Sequence, residues 1–314
     1  MYYVAHRLFA AHDRALGAFI AQRLAAKAGP ESVFLPFCDT DEEDLIAPVK
    51  GRRLFELDRA RLESLTGMIA VLHGPSLDDG VCMEIGYATA LDIPVVVVTT
   101  DFQTYSAADN STRWEFPDPL IEVVARRIVR VDRLGTPGPG ASRDRFAAFA
   151  ARNQAQLETA AALSVEAVLE LATANAPGAS VTSPTDKGHA FIEPSPYTAQ
   201  PETWPAALQA AGFSVTTASR HRAPDPVTAA RGDWRAALHS EVLVADVSGP
   251  ETPPGAALLV GATTALRRRI AAYLPTTTLT HARGREPNWR NLMIQYAAGS
   301  RIRDVHDVAS WLAL

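Results

Sequence analysis

Short β-branched runs alternate with amphipathic helical segments along the first half of this chain, and no other feature restricts its fold as strongly. YYVAH at 2–6, SVFLP at 32–36, MIAVLH at 68–73, PVVVVTT at 94–100 and RIVRV at 127–131 have the length and residue types of buried strands. Between them stand RALGAFIAQRLAAKAG, RRLFELDRARLESL and CMEIGYATALD, whose apolar residues recur at three and four and whose ends carry Gly or Asp. Such alternation predicts a parallel, doubly wound α/β sheet with helices on both faces. Residues 143–174 read as an alanine-rich helix or helix pair, and the Pro/Gly/Ser/Thr-rich stretch 174–187 as a linker.

The second half repeats the scheme. HAFIEP, FSVTT, EVLVADV and IAAYLP are strand-like; PETWPAALQAAG, GAALLVGATTALRRR, NLMIQYAAG and VHDVASWLAL are helix-like. GPSLDDGVCMEIGYATAL (74–91) aligns with GPETPPGAALLVGATTAL (249–266), both with glycine at the first, seventh and thirteenth positions. This internal repeat predicts two tandem domains, 1–173 and 188–314. Its second copy has Leu259 where the first has Glu84, and Pro253 where the first has Asp78.

The 314-residue length and 47% hydrophobic content suit two packed cores. A net charge of −5 with no Lys/Arg-rich block argues against polymeric nucleic acid as a partner. Cys38 and Cys82 are too few for a disulfide framework and have no zinc-type spacing, which fits a reducing cytoplasm. The apolar runs are strand-sized, so neither a membrane span nor a secretion signal is expected.

Two carboxylates in the first copy point to chemistry. Asp78 and Asp79 precede Gly80 at a predicted helix start, where a side-chain oxygen caps free N–H groups, a role that suits Asp79. Glu84 is flanked by Met83, Ile85, Gly86, Tyr87 and Ala88, which leave little polar face and turn it toward a cleft. Helix starts that follow strand ends form the ligand crevice of an open α/β sheet. A carboxylate there suits a nucleophile, or a stabiliser of an oxocarbenium-like centre.

The pattern YxAxxLF at Tyr3, Ala5, Leu8 and Phe9, then LPF, then a strand ending LHG, then DxGxxxEIGYA, resembles the nucleoside 2-deoxyribosyltransferase family, which includes nucleoside 5′-monophosphate N-glycosidases. The resemblance covers most of residues 1–131 and recurs more weakly over 188–314. It implies two flavodoxin-like, Rossmann-like domains forming a pseudo-dimer, the second degenerate. Glu84 would be the nucleophile that forms a glycosyl-enzyme at C1′, Tyr3 its hydrogen-bonding partner, and Asp78 the aspartate that assists base protonation. Gly80 belongs to the same element. The implied partner is a small nucleoside or nucleotide, exchanged or hydrolysed with no metal and no cofactor, by a monomeric pseudo-dimer or a homodimer.

Departures from the family pattern fall in the binding loops. His73 stands where an aspartate is usual, Phe37 replaces a glutamine and offers a stacking face, and His6-Arg7 replaces a glycine-led loop. Arg7 is a candidate partner for a 5′-phosphate, or a solvated loop residue. The family completes each site with an asparagine from a neighbour, in an Asn-Leu-Met segment. Asn291-Leu292-Met293 supplies it in the second half, with helix capping as the other reading of Asn291; the first half offers only Asn110 in the corresponding region. The acidic run at 38–44 has no EF-hand spacing and reads as a solvated helix entry. His12, His221 and His239 show no ligand spacing, and no GxSxG elbow is present. The expected activity is glycosyl transfer between bases, with hydrolysis or non-catalytic nucleotide binding as the alternatives.

Overall fold

Residues 1–40, 50–107, 112–136, 144–174, 185–197, 203–276, 278–282 and 286–312 are described by the computed structural model. The first half runs β1 (Tyr2–Ala5), α1 (Ala11–Ala28), β2 (Val33–Phe34), α2 (Lys50–Leu62), β3 (Gly67–Val71), α3 (Asp79–Ala90) and β4 (Val95–Thr99). A short antiparallel pair, β5 (Tyr105–Ser106) and β6 (Arg113–Trp114), precedes α4 (Leu120–Val124), β7 (Arg127–Arg130) and α5 (Arg145–Ala174). The main sheet is parallel in the order β2-β1-β3-β4-β7, so the winding reverses between β1 and β3. In such sheets the crevice outside the strand ends at that switch point is the ligand site.

Period two sorts the strand residues onto two faces. Tyr3, Ala5, Met68, Ala70, Val95 and Val97 join one buried cluster, while Val4, Ile69, Val71, Val96 and Val98 join another against α1 and α5. Residues 145–174 form one continuous helix, which resolves the choice between a helix and a helix pair.

The second half follows the same order: β8 (Asp186–Glu193), α6 (Thr203–Ala210), β9 (Ser214–Thr217), α7 (Pro226–His239), β10 (Ser240–Asp246), α8 (Pro254–Ala265), β11 (Arg269–Tyr273), α9 (Leu292–Ala298), β12 (Ser300–Ile302) and α10 (Asp307–Leu312). Its parallel sheet, β9-β8-β10-β11-β12, has the same winding as the first. Two flavodoxin-like units are therefore present. α7 and β12 escaped the sequence reading because the helix carries Gly232 and four charged or histidine side chains, and the strand spans three residues. Of the expected linker, residues 175–184 lie outside the described residues, as do residues 41–44 of the acidic run and Asn110.

The two units share one core. The cluster that includes Tyr3 and Val97 continues through α3 and α8 to Phe191 and Ala272 of the second sheet. α3 and α8 meet backbone to backbone. A Cβ on Gly86 would lie 1.9 Å from the carbonyl oxygen of Leu258, and one on Gly261 would lie 1.9 Å from that of Met83. Met83 and Leu258 are equivalent in the repeat, as are the two glycines, so the crossing has the reciprocity of an isologous interface. Ser76 and Glu251, 175 positions apart, are also equivalent, and they bond directly to each other at 2.7 Å on the approximate dyad. No helix is long and apolar enough to cross a membrane among the described residues.

Candidate active site

The strand-to-helix turn after β3 fixes the main carboxylates. Gly74, at φ +78, closes the turn with its N–H donating to Asp101 at 3.0 Å. Asp78, and not the expected Asp79, caps α3, its Oδ1 accepting the Val81 N–H at 2.9 Å, because the helix begins at Asp79 itself. One and a half turns on, Glu84 points back toward β1, where the Tyr3 hydroxyl donates to its Oε1 at 2.7 Å. The Tyr3 ring is fully buried and packs on Phe34 with ring centroids 5.2 Å apart, which holds the hydroxyl in place.

Glu84 opens onto a cavity of about 330 Å³, within the range of small-molecule sites. The first half contributes His6, Leu8, Phe9, Pro36, Asp58, Asp78, Gly80 and Val81 to its wall. From the second half come Thr280, His281, Ala282, Asn288, Asn291, Leu292 and Met293. The cavity is thus shared between the units.

Asp58, which the sequence reading passed over, lines this cavity from α2. Its Oδ1 is buried without a hydrogen-bond partner, and burial raises its pKa to about 7. Two signals mark it. Asp58 lies on the helix stripe of Leu54 and Leu62, four residues from each, where a carboxylate is out of place. Asp233, its repeat equivalent in α7, is buried too.

Burial lifts Glu84 well above the usual carboxylate range, and the nearby Asp58 charge adds to the effect against the Tyr3 hydrogen bond. Burial, then Asp79, raises Asp78 to about 7. Burial also raises Tyr3, followed by the Glu84 charge, so its hydroxyl stays a donor. Such a site keeps some of its carboxyls protonated at neutral pH.

The other predicted residues divide between two cavities. His6 lines both this cavity and a neighbouring one of about 180 Å³, its ring packed against Gly17 of α1. Arg7 and His73 line only the smaller one, together with His12, Asp13 and Asp78. Arg7 is not a free cation: it pairs with Glu251 at 3.3 Å and lies 3.7 Å from Asp78. His73 Nε2 accepts the Thr100 N–H at 3.0 Å, which turns that atom into its own loop. Phe37 lines neither cavity. Its backbone is left-handed at φ 68, and its ring lies under the Arg14 guanidinium, 4.7 Å from centroid to Cζ, so its stacking face is already taken.

Asn291 both caps and faces the site. Its Oδ1 accepts the Met293 N–H at 3.0 Å, and its Nδ2 lies 2.8 Å from where a Gly80 Cβ would stand. The matching element of the first half is Asp118, eight residues past Asn110, whose Oδ1 accepts the Leu120 N–H at 2.9 Å.

The equivalent place in the second unit carries different residues. Phe191 and Leu259, both fully buried, replace the Tyr3–Glu84 pair. The Arg220 guanidinium fills the cleft, 1.9 Å from the site of a Gly255 Cβ, and binds Asp118 twice at 2.8 Å, Glu193, and Asp233 at 3.4 Å. Asp118, Glu193 and His221 bring ligand atoms within 4.8 Å of one another, but the Arg220 guanidinium already pairs with both carboxylates.

Residues 2–146 match the profile of the family described as Nucleoside 2-deoxyribosyltransferase, which acts on small nucleoside substrates by glycosyl transfer. A solved structure described as a conserved protein from Enterococcus faecalis V583 is similar at 29% identity, over 35% of this chain and 68% of its own length, with a TM-score of 0.31. No curated protein matches the chain.

Proposed function

We propose, from the premise that residues 2–146 form a domain of the nucleoside 2-deoxyribosyltransferase family, that this chain exchanges the base of a nucleoside through a glycosyl-enzyme on Glu84. The observation that supports this most is the Tyr3 hydroxyl held 2.7 Å from Glu84 at a cavity that also contains the unpartnered Asp58 carboxyl.

In the first displacement an oxygen of ionised Glu84 attacks C1′. The N-glycosidic electron pair leaves with the base, and the Asp58 carboxyl gives that base its proton. Asp58 suits this role better than Asp78, because Asp78 spends one oxygen on the Val81 N–H and turns the other toward Arg7. In the second displacement a new base gives its proton to Asp58 and attacks C1′ as the Glu84 ester breaks. Two inversions return the original configuration. Neither step calls on a metal or a redox group.

In this reading residues 1–173 are the catalytic unit, 174–187 the linker and 188–314 a degenerate copy that closes the site, one site per chain. The pairing of Arg7 with Glu251 favours nucleosides over 5′-monophosphates, since a phosphate would have to displace a carboxylate already bound.

Nucleosides and 5′-monophosphates are incubated with and without an acceptor base and resolved by chromatography. A new nucleoside formed only with acceptor is the expected result. Free base without acceptor would make the chain a hydrolase, and no product from any substrate would make it a binding protein.

A further inference from the structure

The second half contributes an amide whose orientation is fixed by a relay that begins at an unambiguous donor. The backbone N–H of Trp289 can only donate, and it does so to Oε1 of Gln295 at 2.9 Å. The other end of that amide is therefore Nε2, which donates to Oδ1 of Asn288 at 3.3 Å. Asn288 therefore has Oδ1 turned to Gln295 and Nδ2 as its other end.

The backbone of Asn288 is fixed as well. It forms a two-bond bridge with Thr280, its N–H donating at 3.0 Å and its carbonyl accepting at 2.8 Å. The residue is 9% exposed and lines the cavity onto which Glu84 opens. Across the cavity the first unit presents Glu84, Asp58 and Asp78, whose carboxyls supply acceptors and a transferable proton. A donor that cannot turn into an acceptor is the complementary element.

We infer that Asn288 is a specificity-determining residue whose Nδ2, oriented by Gln295, donates to an acceptor oxygen of the nucleoside. This rests on the nucleoside reading of the cavity. Gln295 is a positioning residue, since it acts through Asn288. The acceptor is a carbonyl oxygen of the base or a hydroxyl oxygen of the sugar, and an amino group in the same place would meet two N–H donors with no lone pair to offer. A site built around such a hydrogen bond rejects the analogue without it far more strongly than an apolar wall would.

Steady-state kinetics with two pairs of nucleosides tests this, one pair differing by carbonyl against amino on the base, the other by a single sugar hydroxyl. The wild-type chain, Asn288→Leu, Gln295→Leu and Gln295→Glu are compared, with unfolding midpoints to establish that each variant folds. Both Asn288→Leu and Gln295→Leu should raise KM for the acceptor-bearing member of one pair by roughly tenfold or more. The other member should change little, kcat should hold, and discrimination within that pair should collapse. Gln295→Glu, which still accepts from Trp289 but cannot donate to Asn288, should behave like Gln295→Leu. Loss in the base pair assigns the carbonyl, and loss in the sugar pair assigns the hydroxyl. Folded variants that keep wild-type discrimination in both pairs would overturn the inference while leaving the nucleoside reading intact. A wild-type chain that turns over none of the four would overturn both.

Discussion

Asp118 and Asn291 are counterparts: each accepts a backbone N–H at the start of the short helix that follows the fourth main strand of its own unit, and each presents its side chain to the glycine that opens the central helix of the other. Asp118 faces Gly255, and Asn291 faces Gly80. The two differ in charge and in surroundings. The neutral amide leaves the first cleft open. The carboxylate helps hold Arg220, and the second cleft is filled.

That filling predicts the cost of opening it. Asp118, Glu193 and Asp233 are each at most 5% exposed at the side chain, and Arg220 is their common cation. Burial alone would raise Asp118, but the Arg220 guanidinium beside it takes it well below the usual carboxylate range. Arg220→Met should destabilise the chain by roughly 3–5 kcal/mol, the cost of leaving buried charges unpaired. Denaturant unfolding at neutral pH measures this. A change under about 0.5 kcal/mol, the ordinary surface value, would mean that the cluster does not fasten the two units.

Asp58 predicts a dependence on pH whose sign follows from its raised pKa. The carboxyl titrates at 3.8 when unperturbed and at about 7 in the fold. Between those values the folded chain holds a proton that the unfolded chain has released. Its stabilising contribution is therefore full below about pH 4, falls as pH rises to about 7 and is level above, at about 1.4 kcal/mol per pH unit at most. Asp58→Asn should flatten this part of the stability profile, gain relative to the wild type at pH 8, and lose transfer activity. Parallel profiles for the two proteins between pH 4 and 7 would contradict the assignment.

Asn291 needs a variant that separates its two roles. Asn291→Ser keeps an oxygen for the Met293 N–H, because serine is also a good N-cap, but withdraws the amide from Gly80 and Asp79. Transfer should fall by tenfold or more, with stability changed by less than about 1 kcal/mol. A variant with full activity would leave Asn291 as a cap alone.

Most of the fold was legible because it depends on period. Buried parallel strands such as Val95–Thr99 and helices with Gly or Asp at their ends state their type locally, and the repeat stated the second unit. Glu84 was legible for the opposite reason, as a charge in a segment with no polar face. Asp58 carried the same kind of signal on a helix of far more polar composition, where one further carboxylate attracts no notice. The equivalence of Asp118 and Asn291 was hidden because it lies in the cap geometry and not in residue identity. Phe37 and His73 went elsewhere because a loop side chain takes whatever partner packs nearest, here Arg14 and Thr100, and sequence spacing does not report that choice.

In the proposed reaction one covalent glycosyl-enzyme forms per chain, on Glu84. It is tested most directly by intact-protein mass measurement after incubation with a nucleoside whose sugar bears a 2′-fluorine, which slows departure of the sugar from the enzyme by destabilising the oxocarbenium-like transition state. A mass increase of one fluoroglycosyl group per chain is expected, mapped to the peptide containing Glu84 and absent in a folded Glu84→Ala variant that has also lost turnover by several orders of magnitude. A label on another residue, two labels per chain, or near-normal turnover by Glu84→Ala would contradict it.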